Sequence, residues 1–386
     1  MAKRILIYEP SASGHHFKYV QLLIRAFSGQ GREIFLASKG ESFDSIEYTT
    51  LLKEYEHLFT KVLIDCSQVR NIYLMSLLHS WNLLKIAKRY NYDLVFIPYL
   101  DIYLYTLGFL LRLYPPPKGR SFEGIIFRGD CSYDGLPKRR RNRIRRYVMQ
   151  MILASQVFHR VLFIDELIYE SFLKSVPQAN GRMALCPDPV ETDYTTGRDE
   201  FRRRFAIPRE AKAVGVFGLI DSRKGVDRLL RAFDASWRAP SHHLFLMGNH
   251  SEKVRECVRN SALGSQIISV DRFVTDDEMV SGINAVDVVA AVYPRHVGSA
   301  SIVIRAAAAG KPVLGSDFGW IGHMIRKHGL GKVCNVRNGG SLVEGFRWAF
   351  NNPMCDVEEA NAFAKQNSVD YFIDVVRGGS GQKANI

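Results

Sequence analysis

Apolar residues occur along this chain in short unbroken runs separated by longer amphipathic stretches. In the first half the runs fall at 4–10, 33–38, 61–66, 94–98, 124–127 and 160–164. Runs of this length, bounded by polar segments, read as strands buried on both faces. Helix-period segments lie between several of them. Phe17, Val20, Ile24 and Phe27 are spaced three, four and three apart and so share one helical face. Strand–helix alternation predicts parallel strands joined by crossover helices, a doubly wound sheet.

The pattern restarts after residue 212. Runs at 214–219, 244–247, 267–270, 286–292, 312–316 and 332–334 read as strands, again with helices between. The stretch 187–212 is polar, charged and proline-containing, which suits a connection between domains. The expected organisation is a Rossmann-like domain over 1–190, a linker at 191–212 and a second Rossmann-like domain over 213–364. A helix at 365–377 is expected to fold back on the first domain, and 378–386 reads as a flexible tail. A length of 386 residues suits two domains of this size.

Composition narrows the partners. Hydrophobic residues make up 47% and charged residues 24%, enough apolar surface for a sizeable core. The formal net charge of +13 points to anionic partners: phosphorylated small molecules, an acidic membrane face or nucleic acid. The six cysteines are scattered with no CxxC pair, which argues against a zinc ribbon or a disulfide framework and fits a reducing cytoplasm. No run before a small-residue cleavage site suggests a signal peptide. The most apolar stretch, 97–114, contains Asp101 and Arg112 and reads as a buried helix rather than a span.

Ligands of open parallel sheets bind beyond the carboxyl ends of the strands, so the loops there carry the candidate chemistry. Gly218 to Gly225 follows a strand and opens a helix, with Arg223 and Lys224 adjacent. Two cations at a helix N-terminus suit a diphosphate; a solvated basic turn is the plainer alternative. Tyr293 to Ser301 also follows a strand and precedes a helix. There Gly298 permits close backbone approach, and Ser299 or Ser301 is placed to cap the helix and to donate to a phosphate oxygen. No carboxylate or histidine cluster has metal-ligand spacing, so no metal is expected.

These motifs, in this order, resemble the nucleotide-sugar-binding half of the GT-B-fold family 4 glycosyltransferases (glycosyltransferase group 1). Gly218–Gly225 resembles G-R-L-x-x-x-K-G, and Gly248 in Leu246-Met247-Gly248-Asn249 stands at the family's strand-end glycine turn. Arg305 to Asp317 resembles E-A-M-A-A-G-x-P-V-V-A-S-D, and Cys186 to Glu191 resembles "ipNGvD". The resemblance implies two Rossmann-like domains facing a cleft, no cofactor, a nucleotide diphosphate sugar as donor and retention at the anomeric carbon. Departures accompany it. The family's paired glutamates fall on Val297 and Arg305, and its arginine falls on Leu219. Arg305 has donors only, so it suits an extra phosphate, a nearby carboxylate or a structural ion pair. His296 to Ser301 is also similar to the H-x-G-x-x-S core of family 1 glycosyltransferases, where the His and Ser contact phosphate. The donor set expected from these motifs is Arg223, Lys224, Gly248, His296, Gly298, Ser299, Ala300, Ser301 and Arg305.

In the first half, Gly14-His15-His16 follows the first strand. Family 1 resemblance implies a general base here, and histidine suits that task because its pKa lies near neutrality. His15, His16 and Asp130 are the catalytic candidates, with Asp101 or Asp130 placed after strands to orient the imidazole. Gly14, Asp101 and Arg128 are the expected acceptor-binding residues. Residues 138–146 hold seven cations in nine positions and run into an apolar stretch, giving a basic amphipathic helix over 138–152 suited to an anionic membrane face. Only Tyr147 adjoins as a stacking aromatic, so nucleic acid is not an expected partner. The expected protein is a cytoplasmic hexosyltransferase, peripheral at the inner membrane face, acting on a saccharide or lipid-linked acceptor in polysaccharide biosynthesis. Two other readings stand beside it: a catalytically silent GT-B protein that binds a ligand or partner, and a GT-B sugar-nucleotide epimerase.

Overall fold

Strands covered on both faces need apolar side chains at successive positions, and these runs supply them. In the computed structural model, Lys3–Tyr8 (β1), Arg32–Ser38 (β2), Phe59–Leu63 (β3), Leu94–Ile97 (β4), Ser121–Ile126 (β5), Phe158–Phe163 (β6) and Met183–Leu185 (β7) form one sheet. Its order is β3-β2-β1-β4-β5-β6-β7, and every pairing is parallel. Lys212–Phe217 (β8), His242–Met247 (β9), Ile267–Val270 (β10), Val288–Ala291 (β11), Val313–Ser316 (β12) and Gly331–Cys334 (β13) form the other, in the order β10-β9-β8-β11-β12-β13, again all parallel. The structure describes residues 3–378 apart from 13–15, 30, 66–68, 130, 132, 134–139, 192–193, 195–196, 237–238 and 352.

Both sheets are doubly wound Rossmann-like sheets. The strand order reverses between β1 and β4 in the first sheet and between β8 and β11 in the second. Each reversal opens a crevice at the carboxyl ends of the two strands that flank it. The first unit comprises Met1–Pro187 and Val369–Ile386, the second Asp188–Ser368.

Two features differ from the sequence pattern. β7 is only three residues long, and no apolar run marked it. The stretch 191–212, expected to be a linker, holds the helix Arg198–Arg204, whose Phe201 packs in the second unit's core. Arg202 in that helix is buried, and its guanidinium donates to the carbonyls of Ala285, Pro208, Arg209 and Ala211 and pairs with Asp287. A charged sequence reads as a linker, but here the charge is spent on backbone oxygens that burial would otherwise leave unpaired.

The helix Val369–Arg377 packs on the first unit. Its Phe372, Ile373, Val375 and Val376 join the cluster built from Phe17, Val20 and Ile24 of the helix His16–Phe27. Arg160 on β6 fixes its end: the guanidinium donates to the Val375 and Val376 carbonyls at 2.6 Å each and pairs with Glu123 of β5 at 2.8 Å. The last carbonyls of a helix lack intrahelical partners, and the half-buried Arg160 supplies them here.

Candidate active site

In the second unit the switch point gathers three glycine-dependent turns. β8 ends at Phe217, and Gly218 turns the chain with φ +83°. Gly248 at the end of β9 has φ +128°, and a Cβ there would lie 2.2 Å from the Gly218 carbonyl oxygen. The two turns touch backbone to backbone, which only glycine allows. Gly225, with φ +67°, lies so close to the loop after β11 that a Cβ would meet the Val292 oxygen at 2.6 Å.

Between these glycines sit the two cations. Arg223 is exposed and pairs with Asp221 at 2.7 Å. Lys224 folds back instead: its Nζ donates to the Phe217 carbonyl and lies 5.6 Å from the centre of the Tyr293 ring. No carboxylate pairs with it in direct contact among the described residues. Burial pulls the Lys224 ammonium down to about 8, with Asp221 opposing and Arg223 adding to the shift.

The loop after β11 is braced by its own side chains. His296 Nε2 lies 2.7 Å from the Ser299 carbonyl, so that nitrogen carries the proton and donates. Ser299 Oγ donates to Asp188 at 2.7 Å. The helix Ser301–Ala308 begins after Ala300, which offers no side-chain cap. The expected capping by Ser299 or Ser301 is therefore corrected: Ser299 is committed to Asp188, and Ser301 is already the first helical residue. An alanine at the cap leaves the leading amides without a side-chain acceptor, the arrangement an anion uses. Arg305, four residues into that helix, pairs with Asp276 at 3.1 Å and faces Tyr194, whose hydroxyl and Asp276 raise its pKa against the effect of burial. Of the three roles expected for Arg305, the structure shows the pairing with a carboxylate.

In the first unit the switch point lies between β1 and β4. β1 runs straight into Glu9, whose side chain is buried. Glu9 Oε1 accepts from the Ser11 amide at 3.1 Å and meets His16 Nδ1 at 2.9 Å. The imidazole also packs on Tyr99, which follows β4, at 4.6 Å between ring centres. Burial alone would depress His16, but the contact with Glu9 and the charge of Asp101 raise it above its ordinary value. Burial likewise pushes the Tyr99 phenol up to about 12.

Asp101 does not reach the imidazole as expected, nor does it stand open for an acceptor. It is buried and accepts the Phe127 and Arg128 amides at 2.8 Å each, with Arg145 Nη2 at 3.5 Å. Arg145 also donates to the Arg128 carbonyl at 2.9 Å. Asp101 therefore ties the end of β4 to the loop after β5. A buried carboxylate with this many donors is a structural knot, and removing it would leave the amides unpaired. The Arg128 side chain is exposed. Gly14, His15 and Asp130 lie outside the described residues, as do Lys138 and Arg139 of the basic run. Sequence reasoning missed Glu9, Tyr99 and Asp188. The signal for Glu9 was available, since a lone carboxylate ends the apolar run of β1.

Residues 197–369 match the family described as Glycosyl transferases group 1. The second unit is a group 1 glycosyltransferase domain. No curated protein matches significantly. Solved structures are similar over nearly the whole chain. A glycosyltransferase from Rickettsia africae ESF-5 aligns with a TM-score of 0.71 at 14% identity, covering 98% of each chain. Sucrose-phosphate synthase from Thermosynechococcus elongatus aligns at 0.70 with 16% identity and 98% of each chain. Anabaena HepE in complex with UDP-glucose aligns at 0.67 with 15% identity, covering 97% of this chain and 98% of that one. At such identities the likeness is one of fold, and that fold is GT-B. The matched segment contains Lys224, the Gly218 and Gly248 turns, Val297 and Arg305.

Proposed function

We propose that this group 1 glycosyltransferase transfers a hexose from a nucleoside diphosphate sugar to a hydroxyl of a saccharide or lipid-linked acceptor. The observation that carries the reading is Lys224, a cation without a carboxylate in contact, held at the carboxyl edge of β8. Its Nζ, with the amides leading the helix Ser301–Ala308, would take up the charge of the departing diphosphate, the main electrostatic demand of the reaction. In the first unit, Nδ1 of His16 is engaged by Glu9, so Nε2 is the nitrogen left to meet an acceptor hydroxyl. In the transfer the bond from C1 to the diphosphate oxygen breaks, and its electron pair leaves with the diphosphate. The bond from the acceptor oxygen to C1 forms, and the hydroxyl proton passes to His16.

The first test is a thermal-shift panel with UDP, GDP, ADP, CMP and their sugars, since a ligand of the folded state raises the melting temperature. UDP-glucose heads the panel because the structurally similar HepE was solved with it. A shift that Lys224→Met abolishes supports the donor site; an equal shift in that variant rejects it. With donor and acceptor in hand, the anomeric configuration of the product decides the role of His16. Inversion is expected if His16 takes the proton from the face opposite the leaving group. Retention, which the family resemblance implies, reduces it to a hydrogen-bonding partner.

A second reading, a catalytically silent binding protein, is favoured by one observation: Arg305, where the family resemblance implies a glutamate, pairs with Asp276. Donor binding with neither transfer nor donor hydrolysis would establish it.

A further inference from the structure

The helices Ile72–Arg89, Leu107–Leu113 and Arg140–Ala154 pack side by side on the first unit. Gly108 sets the close approach of the second and third, since a Cβ there would meet the Val148 carbonyl oxygen at 2.9 Å. Together the three helices contain nine lysines and arginines and no aspartate or glutamate. A solvated face normally mixes signs, and the chain as a whole has 39 acids to 52 cations. The single sign here is local.

The outward side of these helices is also apolar. On the first, Leu74, Leu77 and Trp81 form an exposed stripe that continues into Lys85 and Lys88. Phe109 and Leu113 on the second and Ile144 and Tyr147 on the third are exposed, Leu113 by 71% and Tyr147 by 53%. Rings bridge the helices: Trp81 meets Tyr114 at 5.4 Å and Phe109 meets Tyr147 at 6.0 Å between centres. The exposed apolar residues are thus one continuous patch, which a solvated surface does not need.

We propose that this face docks on the surface of a bilayer containing anionic lipid. Rings and aliphatic side chains enter the interfacial region while the flanking lysines and arginines meet lipid phosphates. Arg145 takes no part, because it is buried against Asp101. A second copy of the chain fits less well, since a twofold contact would set one cationic face against its own image. Nucleic acid would use the rings but leave Leu74, Leu77 and Leu113 without a counterpart. No helix of the described residues is long and apolar enough to cross a membrane, and the proposal concerns the bilayer surface only. It is independent of the transfer reaction, and its test needs no turnover.

The test is co-sedimentation of the full chain with phosphatidylcholine vesicles, with and without about 30% phosphatidylglycerol. Binding to the anionic vesicles is expected at low salt, about tenfold weaker on neutral vesicles and fading as salt rises. L77S/W81S/Y147S should weaken binding about tenfold or more at low salt, through lost apolar insertion. R140Q/R141Q/R143Q should weaken binding to anionic vesicles and flatten its salt dependence. Far-UV circular dichroism confirms that each variant is folded; should the first fail that check, the second decides alone. The proposal is overturned if the native chain ignores anionic vesicles at low salt, or if folded variants bind as it does. It is also overturned if sedimentation equilibrium shows a dimer that L77S/W81S/Y147S dissolves while vesicles remain unbound.

Discussion

His16 is buried enough that desolvation alone would favour its neutral ring, yet Glu9 and then Asp101 raise its pKa above the ordinary histidine value. Glu9→Gln removes the nearer charge, so the His16 pKa should fall, which an NMR titration of its ring protons reads directly. If His16 is the base, the acid limb of kcat/KM is raised from the ordinary histidine value and moves down in that variant. An unmoved limb assigns the limb to another group. Lys224 gives a second pH dependence with the opposite cause. In the free protein it loses its proton through about pH 8. A bound diphosphate holds the proton on, so binding takes up a proton above that pH and affinity falls as pH rises. The last ionisation of the ligand phosphate, near pH ~6, is complete below this window. The fall should approach about tenfold per pH unit and be absent in Lys224→Met, as isothermal titration between pH 7.5 and 9.5 would show. Lys224 was legible in the sequence because its loop has a local pattern of glycine, cation and helix start. The partners of His16 were not: Asp101 and Asp130 were the expected orienting groups, and the buried Glu9 does that work.

A few charged side chains tie helices and strands together beside the apolar faces. Arg160 joins β5, β6 and the end of the helix Val369–Arg377. Arg160→Ala leaves Glu123 buried without its cation and two carbonyls without donors, so a loss of about 3 kcal/mol is expected in urea unfolding. A loss below about 1 kcal/mol would mean that water replaces the guanidinium at no cost. Gly248→Ala forces a Cβ against the Gly218 carbonyl in a backbone region closed to side chains. A loss of about 1–3 kcal/mol should follow, with weakened nucleotide binding because the Gly218 turn must shift. Most strands were legible because parallel strands demand unbroken apolar runs. β7 was not, since three edge residues make no run. The helix Arg198–Arg204 was hidden by its charge, because nothing in the spacing says that Arg202 will be buried.

Each of the two units has its own reversal of strand order, and the chain crosses between them twice, after Pro187 and after Ser368. A chain ending at Ser368 would lose Phe372, Ile373, Val375 and Val376 from the first unit's core. Hydrogen exchange should then show β1 and β2 losing protection while β8 and β9 keep theirs; equal loss in both units would show that they unfold as one. What the sequence alone determined is local: the alternation of strand and helix, the division into two similar halves, the glycine turns and the cations beside them. These follow from side-chain period and turn chemistry, which act over a few residues. Tertiary structure alone decided which groups meet: Glu9 with His16 and Tyr99, Lys224 with Tyr293, Arg305 with Asp276, and three acid-free helices sharing one exposed face. Those meetings depend on strand order and helix packing, which bring distant residues to one edge, and residue spacing does not encode that order.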